Sequence, residues 1–263
     1  MAHHQIKAVL FDLGDTLVNF GEVRTTRIFL EGARASYAFL KENGQAAGSF
    51  ARYFLENLGH IRFRHLISNL TGKDFDALDL LKSIGRKKGT QLSREQWEHL
   101  AWLWYEPLTK VGQIEPDLPE TLTALGRLGL KLGIVSNTFV NRVSLERHLR
   151  TLGVLDFFSV RMFSYEFDCR KPDREIFRIA AEKIGEGIGD ILFVGDRIEK
   201  DIRPALGSGM AAALKDAYTN ARKATPRGAH RIQLLSELPA LIESLNAEAT
   251  QPLSRTGSLG AAR

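Results

Sequence analysis

Sulfur, long apolar runs and a strong excess of either charge are what this chain has least of. Among 263 residues there is one cysteine, Cys169. An internal disulfide is therefore excluded, and a reducing, cytoplasmic location is the expectation. No stretch approaches the roughly 18 consecutive apolar residues that read as a membrane span. The opening Met1-Ala2-His3-His4-Gln5 runs almost directly into an apolar strand, so no secretory signal is expected. The net charge is only +5. Its basic residues are scattered, with Arg222, Lys223, Arg227, Arg231, Arg255 and Arg263 in the C-terminal part. No basic stripe interleaves with aromatics, so neither nucleic acid nor a membrane surface is expected as a partner.

What is present is an ordinary globular balance, 44% hydrophobic and 25% charged. It is arranged in two textures. Residues 6–12 read as a buried strand. From Val18 to about residue 112 the pattern is helical, with stretches such as Arg24–Asn43 and Phe50–Asn69. A further helix starts near Ser93, where Ser93-Arg94-Glu95-Gln96 is a cap-and-first-turn signal. Strands and helices then alternate. Strands are predicted at 132–135, 158–163, 191–194, 211–214 and 232–234, with helices at 139–152, 173–184, 200–208 and 236–245. Alternation of this kind predicts an α/β fold, a Rossmann-like parallel sheet with helices on both faces. The core is then 1–17 and 113–247, and an all-helical cap of 18–112 is inserted after the first strand. The Ser-, Gly- and Ala-rich 248–263 reads as a disordered tail. A monomer and a homodimer are equally compatible with the sequence.

Parallel strands end along one edge, where ligands bind. The strand ends here carry Asp12, then Ser136 and Asn137, then Lys171, then Asp196 with Asp201 close behind. Each has an innocent reading as cap or turn chemistry. Together they form a chemical set. Three carboxylates converging on one edge need a counter-charge, and a hard divalent cation such as Mg²⁺ suits them. Lys171 adds positive charge and Ser136 can donate to a phosphoryl oxygen. A nucleophilic carboxylate, a cation and donors for the transferred group are the parts of phosphoryl transfer.

The segments Phe11-Asp12-Leu13-Gly14-Asp15-Thr16-Leu17, Ile134-Val135-Ser136-Asn137-Thr138, Arg170-Lys171-Pro172-Asp173 and Phe193-Val194-Gly195-Asp196-Arg197-Ile198-Glu199-Lys200-Asp201 stand in this order. The chain with these four segments resembles the haloacid dehalogenase-like hydrolase superfamily over about residues 6–245. The resemblance implies a Rossmann-like core with a helical cap that selects the substrate. It implies Asp12 as nucleophile, Ser136 on the phosphoryl group, and Lys171 steadying both. It also implies Mg²⁺ held by Asp12, the carbonyl of Gly14 and Asp196, with Asp201 in support. The expected substrate is a small phosphorylated metabolite.

One position departs from the pattern. Phosphatases of the superfamily carry an aspartate two residues after the nucleophile, which protonates the leaving group and then activates water. Here that residue is Gly14. Asp15 can stand in by a local shift, although adjacent side chains in extended chain point opposite ways. Without a substitute, the enzyme should prefer leaving groups that need no proton, such as aryl or acyl phosphates. A 2-haloacid dehalogenase-type hydrolase also needs no acid, and a weakly active or inactive member with a binding or regulatory role is the non-enzyme alternative. In the cap, His60, Arg62, Arg64 and His65 read as a solvated face, and Trp97, Trp102, Trp104 and Tyr105 as core. His148 reads as structural.

Overall fold

The computed structural model describes residues 5–250. Its centre is β1 (Ala8–Phe11), a fully buried strand whose side chains alternate between the two faces of the sheet. Val9 and Phe11 join one apolar cluster, and Ala8 and Leu10 join another on the opposite face. The remaining strands are β2 (Lys131–Ser136), β3 (Val160–Phe163), β4 (Ile191–Gly195), β5 (Ala211–Lys215) and β6 (His230–Ile232). They form one sheet of order β3-β2-β1-β4-β5-β6, with every neighbouring pair parallel. In register, Phe11 lies beside Ile134 on one side and Val194 on the other, so the ends of β1, β2 and β4 fall within two residues of one another.

Helices cover both faces, as the alternation predicts. On the Val9 and Phe11 face lie α5 (Leu118–Arg127), α6 (Arg142–Thr151) and α9 (Leu238–Thr250), through Leu122, Leu125, Leu145, Leu149 and Ile242. On the other lie α7 (Arg174–Ile184) and α8 (Arg203–Ser208), through Ile176, Phe177, Ala180 and Ala205. The helix expected from residue 139 starts at Arg142, because the Asn141 side chain accepts from Ser144 N at 3.0 Å and caps it there. The helix expected from residue 200 is preceded by a wide turn over Ile198–Ile202, in which Ile202 N reaches back five residues to Arg197 O. Helix α9 runs to Thr250, into the segment expected to be irregular, and the rest of that segment lies outside the described residues.

Between β1 and α5 come α1 (Thr25–Glu42), α2 (Phe50–Thr71), α3 (Ala77–Lys87) and α4 (Arg94–Thr109). No strand longer than an isolated bridge interrupts this block among the described residues. The Ser93 start signal is a true capping box with Gln96. These helices enclose a core of their own, with Leu40, Tyr53, Leu78, Trp97, Leu100 and Trp104. Helices α1 and α4 approach so closely that a Cβ on Gly32 would sit 2.8 Å from the Trp104 carbonyl oxygen. Trp102 and Tyr105 of α4 instead face the sheet cluster, so α4 is shared between the two cores. The chain leaves the sheet and returns to it side by side, with Asn19 and Gln113 exchanging backbone hydrogen bonds of 2.7 and 2.9 Å.

Candidate active site

The strand ends bring the predicted residues together. Lys171, 2% exposed, stands at the centre. Its Nζ donates to Asp12 Oδ1 at 2.6 Å and lies 2.7 Å from Asp201 Oδ1. The second contact lacks hydrogen-bond geometry, so Asp201 Oδ1 is buried without a hydrogen-bond partner. Asp201 Oδ2 accepts from Arg197 N at 2.9 Å, a bond made possible by the wide turn over Ile198–Ile202. Gly195 is there for space: a Cβ on it would come within 2.5 Å of the Asp201 Cβ. Asp196 is wholly buried and accepts from Thr219 Oγ1 at 2.5 Å and Thr16 Oγ1 at 3.4 Å.

Asp12, Asp196 and Asp201 each offer an oxygen within 4.8 Å of the others. Burial raises the Asp12 carboxyl above its usual range despite the pull of Lys171, and the Asp201 and Asp196 carboxylates add to the rise. Burial likewise raises Asp196. For Lys171, burial pulls the ammonium down but is outweighed by Asp12 and Asp201, and the net shift is upward. One buried ammonium against three carboxylates leaves an excess of negative charge. An all-oxygen donor set of three carboxylates around a single ammonium fits a hard divalent cation.

Above this cluster opens a cavity of about 420 Å³. Asp12, Gly14, Asp15, Ser136, Asn137, Lys171 and Asp201 all line it, while Asp196 lies beneath. Ser136 is buried on its wall with no protein hydrogen bond to its hydroxyl among the described residues. Asn137 also sets the lysine backbone, since its side-chain amide donates to Lys171 O at 2.6 Å and accepts from Lys171 N at 3.0 Å. Asp15 holds a left-handed φ of 59°. Its Oδ1 accepts from Phe20 N at 3.0 Å and Gly21 N at 3.2 Å, so it closes the turn that carries Gly14.

Thr16, Thr219 and Asn220 were not singled out from the sequence. Asn220 donates to Asp196 O and to Lys215 O, both at 2.8 Å, tying the end of β5 to the acid cluster. Thr16 follows β1 within the first segment, and Thr219 and Asn220 lie on the loop past the end of β5. From the helical block, His65, Tyr105 and Leu108 also line the cavity. His60, Arg62, Arg64 and His65 are exposed as expected, yet His65 reaches this wall. Trp97, Trp102, Trp104 and Tyr105 are core residues as expected. His148 is buried, and its Nδ1 lies 2.9 Å from the Tyr105 hydroxyl.

The family model for haloacid dehalogenase-like hydrolases matches residues 6–209. The chain belongs to that family. This hydrolase is 30% identical to a glyceraldehyde 3-phosphate phosphatase of Methanocaldococcus jannaschii, over 91% of its own length and 98% of the relative's. Among solved structures, a HAD phosphatase from Thermococcus onnurineus superposes with a TM-score of 0.57 at 24% identity, covering 90% of this chain and 98% of that one. A 2-haloacid dehalogenase from Pseudomonas syringae superposes with a TM-score of 0.59, also at 24% identity, covering 91% and 99%. A likeness this distant is one of fold. No helix of the described residues is long and apolar enough to cross a membrane.

Proposed function

We propose that this hydrolase is a Mg²⁺-dependent phosphatase of a small phosphorylated metabolite, acting through an aspartyl-phosphate at Asp12. The observation that carries this reading is the Lys171-centred cluster of Asp12, Asp196 and Asp201 on the cavity floor. The named activity of the Methanocaldococcus relative, removal of phosphate from a small sugar phosphate, agrees with it.

Asp12, Asp196 and Asp201, with the Gly14 carbonyl, would hold the cation, which supplies positive charge to the phosphoryl oxygens and to the carboxylates around them. Lys171 fixes Asp12 Oδ1, leaving the other carboxylate oxygen without a hydrogen bond. That oxygen attacks phosphorus, and the bond to the leaving oxygen breaks in line with it. Ser136, its hydroxyl unpartnered, donates to a phosphoryl oxygen. Water then cleaves the acyl phosphate, releasing phosphate and restoring Asp12. The helical block over 18–112 acts as the cap that walls the cavity from bulk water.

Phosphate release across a metabolite panel, with and without Mg²⁺, tests this against Asp12→Asn. Metal-dependent release that disappears in the variant supports the reading; full release in the variant overturns it. Gly14 also permits dehalogenation, since a halide leaves without a proton. Metal-independent chloride release from 2-chloropropionate, with no phosphate release from any ester, would assign the site to that reaction instead.

A further inference from the structure

The cavity over Asp12 does not end at the phosphoryl subsite. Leu108 and His65 line both this cavity and a neighbouring recess of about 460 Å³ on the helical block, open to solvent beside Thr25, Arg62 and His65. The walls of the recess are apolar, built from Ile28, Phe29, Ile61 and Phe139 with Arg62 at one side. The same four residues and Leu108 border a smaller inner pocket. An apolar cavity of about 150 Å³ already accepts benzene, so the recess has room for a fused aromatic ring.

The second observation is Gly14. No carboxyl stands two residues after Asp12 to protonate a leaving oxygen, and Asp15 Oδ1 is tied to the Phe20 and Gly21 amides. Without that carboxyl, a leaving group stable as its anion is favoured. A phenolate, whose conjugate acid lies near pH 10 as in tyrosine, departs far more readily than an alkoxide, whose conjugate acid is as weak as water.

We infer that this site takes phosphomonoesters of aromatic alcohols, with the phosphoryl group on Asp12 and the ring in the recess among Ile28, Phe29, Ile61 and Phe139. This rests on the phosphatase reading above and names its substrate class. In the step itself, an Asp12 oxygen forms the bond to phosphorus and the P–O(aryl) bond breaks. Its electron pair leaves on the aryl oxygen, which takes a proton from solvent. Water then attacks phosphorus, giving inorganic phosphate and the free carboxylate, with the surplus proton going to solvent.

The test compares kcat/KM for 1-naphthyl phosphate, ethyl phosphate and acetyl phosphate in Mg²⁺, in wild type and Ile28→Trp. Binding of 1-naphthylphosphonate and methylphosphonate is measured alongside by calorimetry. Wild type should prefer naphthyl over ethyl phosphate by about 10²-fold or more, the scale of missing acid assistance. Filling the recess with Ile28→Trp should lower naphthyl turnover about tenfold more than acetyl turnover, the range that one pocket contact discriminates. The same variant should abolish the preference for naphthylphosphonate over methylphosphonate. Equal wild-type turnover of naphthyl and ethyl phosphate, or equal loss of naphthyl and acetyl turnover in Ile28→Trp, overturns the inference while leaving the phosphatase reading intact. Release that survives Asp12→Asn overturns that reading instead, and the phosphonate pair then still reports on the recess: equal affinity for both overturns it.

Discussion

At the cavity floor, Lys171 and three carboxylates are buried together, and backbone and hydroxyl donors hold Asp196 and Asp201 at fixed positions. Beside the cavity, the helical block contributes a recess lined by Ile28, Ile61 and Leu108, with Thr25, Arg62 and His65 as its polar residues. The floor comes from strand ends of one sheet, whose register leaves little freedom. The wall comes from helices packed around a separate core. The contrast teaches that chemistry and selectivity are carried by parts held together by different forces. Charge compensation fixes the first, and apolar packing shapes the second.

The largest blow to the floor should be Lys171→Met. It leaves Asp12 and Asp201 buried without their shared ammonium, and breaking a buried pair from one side costs about 3–5 kcal/mol. We expect a marked fall in Tm without metal, partly restored by Mg²⁺, and loss of turnover. An unchanged Tm would break the claim that the floor is held by charge.

Gly14→Asp sharpens the contrast from the other direction. A Cβ at Gly14 meets only the Phe20 ring, at 3.8 and 3.9 Å, so the aspartate fits. If protonation of the leaving group limits transfer to Asp12, kcat/KM for alkyl phosphates should gain about 10²–10⁴-fold, the worth of general acid–base help, and kcat/KM for aryl phosphates much less. An equal gain for both classes would place the limitation elsewhere.

His148 offers a smaller test where α6 on the sheet meets Tyr105 of α4. Burial lowers its imidazole from 6.5 to about 4. Between these values the unfolded chain binds a proton that the folded chain does not, so stability falls as pH drops from 6.5 towards 4. His148→Gln can keep a hydrogen bond to Tyr105 and should flatten this part of the pH–Tm profile. The measurement is thermal melting of both proteins from about pH 7 down to about pH 4.5, across the window in which the two states bind different numbers of protons. Parallel profiles would remove His148 from the account.

Much of the floor was legible in the sequence because parallel strands deliver their last residues to one edge. Asp12, Ser136 and Asp196 stand at or just past strand ends, whereas Lys171 and Asp201 lie further along, beyond β3 and β4, where the ordered sequence segments pointed to them. Thr219 and Asn220 were missed because β5 ends in Lys215 and Asp216 follows it, and the loop that returns to Asp196 has no pattern of its own. The wall was not legible. Helix α2 is apolar on both sides: Leu58 and Ile61 are buried while Leu55, Phe63, Leu66 and Leu70 stay exposed. Which side turns inward depends on α1 and α4, whose close approach at Gly32 no periodicity reveals. For the same reason His65 read as a solvated residue although it borders the cavity.

The most direct test is of Asp12 itself. With Gly14 in place of a base that would activate water, the acyl phosphate should be slow to hydrolyse and should accumulate. Wild-type enzyme mixed with acetyl phosphate and Mg²⁺, quenched in acid and mapped by mass spectrometry, should carry a phosphoryl group on the peptide containing Asp12, absent in Asp12→Asn. Rapid metal-dependent phosphate release with no label on that peptide, undiminished in Asp12→Asn, would contradict the account.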